Sequence, residues 1–170
     1  MNTIILTEGN KDKALLQSLL AFQGKDGVEI IACSGKGSAT SSARTMMSTR
    51  SERIILVLDM DAPGKGTSME NLRLLVGPDT DRFKLIMLEP EIEVLFFVDR
   101  GALTKALGNP IPDVVWEIGM SAPKSTLSAL LGKGPQHDPS TLLASASLLE
   151  AMRNHPKIKE IQEFAQVAHA

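Results

Sequence analysis

Aromatic residues are scarce in this chain of 170 residues: tyrosine is absent and tryptophan occurs once, as Trp116. So few rings cannot build a platform on which successive bases of a single strand would stack. Cysteine also occurs once, as Cys33, which excludes an internal disulfide. In "VEIIACS" it reads as a small buried hydrophobe, because no histidine lies near it in sequence to make it a catalytic thiol. The three histidines, His137, His155 and His169, fall in the last third of the chain, and their spacing makes no metal motif. No apolar run approaches the roughly 20 residues that span a bilayer, so no membrane partner is expected. The opening "MNTIILTEGNKDK" lacks a basic stretch and reaches Glu8 too soon for a secretory signal, so a cytoplasmic location is expected. The net charge is only −2, which excludes a global basic field that would draw in nucleic acid.

The chain is 43% apolar and 22% charged, enough for an ordinary core. Its first half alternates short apolar runs with helical periodicity. Strands are expected at 3–7, 28–34, 53–59 and 82–88. Helices are expected at 10–24, with Asn10 as cap and Gly24 as stop, at 38–50 and at 68–77. Near-continuous apolar strands joined by helices imply a parallel sheet covered on both faces. The fold class is therefore α/β, a Rossmann-like sheet of about four parallel strands. The second half reads as helical at 90–107, 123–132, 139–154 and 156–170, most of these opening on proline. The stretch 108–122 reads as loop with a short strand, "DVVWEI". We divide the chain into a core, 1–100, and a helical extension packed on it, 101–170.

Ligands of parallel α/β sheets sit at the carboxyl ends of the strands. The first strand closes on Glu8 and Asp12, the third on Asp59 and Asp61, and the fourth on Glu89, Glu91 and Glu93. Burying charge is costly unless a partner neutralises it. A buried strand, "RIILVLD", that runs into two carboxylates at i and i+2 asks for a cation. All-oxygen donors suit Mg²⁺ or Mn²⁺. Lys36 and Lys65 follow strand ends within two "GKG" tripeptides and are candidate phosphate contacts. Neither tripeptide, nor the third at 132–134, has the glycine five positions earlier that a P-loop requires.

The pair "ILTEGNKD" and "LVLDMDAPG" resembles the Toprim domain, which places Glu-Gly after its first strand and Asp-x-Asp after a later one. Topoisomerases, bacterial primases, recombination-repair proteins, OLD-family nucleases and small ribosomal-RNA maturases share that domain. The resemblance covers residues 3 to about 97. With "EGNKD" and "PEIEVLFF", it is nearest to the OLD-type and small stand-alone members. It implies a Toprim-like fold and a site for one or two Mg²⁺ or Mn²⁺ ions. Asp59, Asp61 and Glu8 would serve the first ion and Asp12 and Glu93 the second, with Lys124 of "APKSTLSALL" as the lysine such nucleases use. It also implies nucleic acid as partner and leaves room for a protein partner or a homodimer. Because the chain is slightly acidic overall, only weak binding is expected without metal, with Lys11, Lys36, Lys65 and Lys124 as the candidate phosphate contacts. A topoisomerase is excluded, since a chain without tyrosine cannot form a tyrosyl–DNA link.

The expected activity is metal-dependent hydrolysis of phosphodiester bonds in DNA or RNA, with Glu8 as a ligand or as general base. Two rivals differ in kind. A phosphatase of the haloacid dehalogenase type also carries Asp-x-Asp, but normally after its first strand and not followed by Ala-Pro. A non-catalytic Toprim module would use the helical half as a docking surface for a partner.

Overall fold

The computed structural model describes residues 2–20, 27–60, 69–132 and 138–166. Four strands form one parallel sheet: β1 Thr3–Thr7, β2 Val28–Ala32, β3 Arg53–Asp59 and β4 Phe83–Leu88. The strand order is β2-β1-β3-β4. From β1 the chain first steps outward to β2, then returns to lay β3 on the other side. The carboxyl ends of β1 and β3 thus flank the point where the winding reverses, the place where α/β sheets leave a crevice.

Both faces of the sheet are covered, as continuous apolar strands require. On one face, Ile5, Ile55, Val57, Ile86 and Leu88 share a buried cluster with α1 (Asn10–Leu19) and with helices of the second half. On the other, Ile4, Leu6, Ile54, Leu56 and Leu58 meet Ala39 and Ala43 of α2 (Lys36–Thr49) and Leu72 and Val76 of α3 (Met69–Val76).

Among the described residues every regular element of the second half is helical, but the segmentation differs from the pattern in the sequence. The run 90–107 is two pieces: a 3-10 helix, Ile92–Phe97, and α4, Arg100–Leu107. Asp99 divides them, its carboxylate accepting from the Ala102 N–H at 2.8 Å to cap α4. The Glu89–Pro90 peptide is cis, and the first helical turn starts at Ile92, not at Pro90. The stretch "DVVWEI" is not a strand but the start of α5, Asp113–Ser121. Next come α6, Pro123–Leu131, a 3-10 helix, Pro139–Ala144, α7, Ala146–Arg153, and α8, Pro156–Gln166. The helix expected at 139–154 is thus broken at Ser145.

Polar ties fasten this half to the sheet. Arg153 donates to the carbonyls of Ser18 and Leu19, both at 3.1 Å, which answers unpaired acceptors at the end of α1. Arg53 donates to the Phe164 carbonyl at 2.9 Å, with its guanidinium over the Phe164 ring. Lys84 of β4 pairs with Glu160 of α8 at 2.9 Å.

Candidate functional site

The turn after β1 is built by its own polar groups. The buried Thr7 hydroxyl donates to the Gly9 carbonyl at 3.1 Å. The Gly9 N–H donates to the Asp12 carboxylate at 3.0 Å. Gly9, not Asn10, is therefore the cap position of α1, and Asp12 reaches back in the manner of a capping box. The Gly35 N–H donates to the Glu8 carbonyl at 2.8 Å. That bond brings the start of α2, and Lys36 with it, to the same sheet edge as Glu8.

Glu8 and Asp59 are joined directly. The Asp59 N–H donates to Glu8 Oε1 at 2.8 Å. Asp59 Oδ1 in turn accepts from the Ile92 N–H at 2.8 Å, which seats the start of the 3-10 helix over the end of β3. Glu93 lies one residue further on. Glu91 acts differently, since its Oε1 accepts from the Lys124 N–H at 2.9 Å. This caps α6, whose own cap residue, Ala122, offers no side-chain acceptor. The bond carries Lys124 from the helical half to the acidic edge.

The electrostatics follow from this crowding. Burial, then the negative charges of Glu8 and Asp12, push the Asp59 carboxyl up from its ordinary 3.8 to about 7, with Glu93 adding to the rise and the Ile92 N–H opposing it. Burial raises Asp12 as well, against the Gly9 N–H and the Lys124 ammonium. Burial likewise raises Glu93, where Lys124 opposes and Glu91 and Asp12 reinforce. Carboxylates from three separate segments therefore feel one another, and Lys124 offsets two of them.

A pH dependence follows. The folded chain holds the Asp59 proton more tightly than the unfolded chain between about pH 4 and pH 7. The stability it contributes is therefore full below about pH 4 and lost as pH rises to about 7. In metal-free urea titrations the slope from this group stays below about 1.4 kcal/mol per pH unit, the value for one whole proton. Asp59→Asn is expected to remove that share of the slope. An identical pH profile in the variant would contradict the crowded carboxyl.

Of the expected metal ligands, Glu8, Asp12, Asp59 and Glu93 are brought to one edge of the sheet. Asp61 and the phosphate candidate Lys65 lie outside the described residues. Among the described residues, no three His, Cys, Asp or Glu side chains are arranged to hold an ion by themselves. The donor set present is all oxygen and rich in negative charge, the chemistry of a hard-cation site, and Asp61 would have to contribute to a complete one. Glu89, directly after β4, is exposed. The capping role of Glu91 is not foreseen from the sequence, where the uncapped "SAPKS" start of α6, needing an acceptor, is its one signal.

Comparison of the chain with protein-family models, with curated proteins and with solved structures returned no match. Among the described residues, no helix is long and apolar enough to cross a membrane.

Proposed function

We propose that the chain is a divalent-metal-dependent nuclease of the Toprim kind, acting on DNA or RNA at the edge where β1 and β3 end. The observation that carries this reading is the crowding of Glu8, Asp12 and Glu93 around a half-buried Asp59 whose proton is held to about pH 7. Packing alone gives no reason to gather acids so, and a cation relieves the repulsion.

Asp59, Asp61 and Glu8 would hold a first Mg²⁺ or Mn²⁺, and Asp12 and Glu93 a second. Such ions supply electrophilic chemistry, withdrawing charge from a scissile phosphate and acidifying water. Glu8, fixed by the Asp59 N–H, would either ligate or accept a proton from the attacking water. Lys124, tied through its N–H to Glu91, lowers the carboxyls of Asp12 and Glu93, and its ammonium would there meet a phosphate oxygen. Lys36 and Lys65 would contact flanking phosphates without reading bases.

The test is cleavage of labelled single- and double-stranded DNA and RNA by the purified protein with Mg²⁺ or Mn²⁺. Cleavage of at least one substrate is expected. No cleavage with any metal would overturn the reading. Lys124→Ala is expected to lower the rate about 10²–10³-fold, as loss of one oriented charge-stabilising group does, while the metal-dependent rise in Tm persists. The non-catalytic reading has its own support: Val114 and Ile118 on α5 are 64% and 50% exposed, a surface a protein partner would cover. Inert wild-type protein that still binds metal would favour it.

A further inference from the structure

Beside the carboxylates opens a cavity of about 370 Å³, within the range of about 300–1,000 Å³ typical of small-molecule sites. It lies between α1, the 3-10 helix Ile92–Phe97, α6 and the 3-10 helix Pro139–Ala144. Asp12, Glu93 and Lys124 belong both to its wall and to the acidic edge. Its floor is apolar, from Leu15, Ile92, Phe96 and Leu127. Its rim is polar, with Lys11 at one side and Ser128, Asp138 and Ser140 at the others.

We infer that this cavity receives one unpaired nucleobase next to the phosphate held at the acidic edge, so that the substrate is a single strand or an unpaired end rather than continuous duplex. The inference rests on the nuclease reading and names its substrate class. Three features point to a base. An apolar floor suits the faces of a flat heterocycle, which leave water on contact with it without regard to sequence. The hydroxyls and the Asp138 carboxylate offer donors and acceptors to its edge. Lys11 and Lys124 line the same cavity and would meet the phosphate attached to that nucleotide. A base within a duplex is stacked and paired, and cannot enter such a pocket without first leaving the helix. The lack of tyrosine and the single Trp exclude an extended stacking platform, but one pocket needs no row of rings.

The test measures binding of fluorescent oligonucleotides of one sequence in the presence of Ca²⁺, as single strand, as duplex, and as a strand of abasic sugars. Wild-type protein is expected to bind the single strand about tenfold or more tightly than the duplex, and to lose that preference with the abasic strand. Ser128→Trp, on the exposed side of α6, is expected to fill the cavity and abolish the preference. Ala14→Phe on the opposite wall provides a second, independent obstruction. In both variants the Mg²⁺-dependent rise in Tm is expected to persist, which separates this inference from the metal site itself. Equal affinity for duplex and single strand, equal affinity for the abasic strand, or unchanged single-strand binding in both folded variants would overturn the pocket. Loss of the Mg²⁺ response in wild-type protein would instead overturn the reading beneath it.

Discussion

Asp59→Asn is expected to abolish the Mg²⁺-dependent rise in Tm and to lower Mg²⁺-dependent cleavage about 10²–10³-fold or more. The same variant is expected to be more stable than wild type without metal above pH 7. The amide keeps an oxygen to accept from the Ile92 N–H, so the seat of the 3-10 helix survives. What disappears is a half-buried negative charge that burial and the neighbouring Glu8 and Asp12 disfavour. The opposed signs matter. A variant that merely misfolds would lose activity and stability together. Thermal denaturation at pH 8, with and without Mg²⁺, reads both. A wild-type metal response in the variant would count against Asp59 as a ligand.

The second large effect is structural. Gly119→Ala is expected to lower Tm by roughly 3–10 °C. A Cβ at position 119 would stand 2.1 Å from Phe97 Cε1 and 2.5 Å from Cδ1. Phe97 is 2% exposed and its ring packs against Trp116, with centroids 5.5 Å apart, so it has no room to retreat. Alanine would return about 1 kcal/mol of helix propensity in α5, which offsets only part of such overpacking. Gly37→Ala is the control, since a Cβ there meets nothing within 4 Å. Adding Phe97→Leu to Gly119→Ala should recover part of the loss. An unchanged Tm in Gly119→Ala would show that α5 does not press on Phe97.

Gly119 also shows why α5 looks like a strand in the sequence. "DVVWEI" is β-branched and aromatic, the composition of a strand. Yet Val115, Trp116 and Gly119 face inward while Val114 and Ile118 are exposed. That is a helical period, and it depends on Phe97 standing ready to receive Trp116. Local propensity cannot see such a partner. The break at Asp99 is hidden for a similar reason: an acid inside an apolar run looks like a solvated face until its carboxylate is found capping Ala102.

The sheet is more legible. Buried parallel strands are short, apolar and bounded by turn residues, so their carboxyl ends can be located from the sequence. Glu8 and Asp59 follow at once, since adjacent parallel strands must deliver their ends to one edge. Asp12 is legible as a position, but its bond to Gly9 is not. Lys124 lies too far along the chain for spacing to place it. Its approach depends on Glu91 answering the uncapped start of α6, a contact between two segments whose sequences carry no common period.

Both the chemistry and the substrate class depend on these carboxylates holding a divalent cation. The most direct measurement is anomalous scattering from crystals of the protein grown with Mn²⁺. A peak is expected at bonding distance from the carboxylates of Glu8 and Asp59, lost in Asp59→Asn crystals; a second peak between Asp12 and Glu93 would mark a two-ion site. Saturating Mn²⁺ with no peak at this edge, or a peak elsewhere that survives Asp59→Asn, would contradict the metal site.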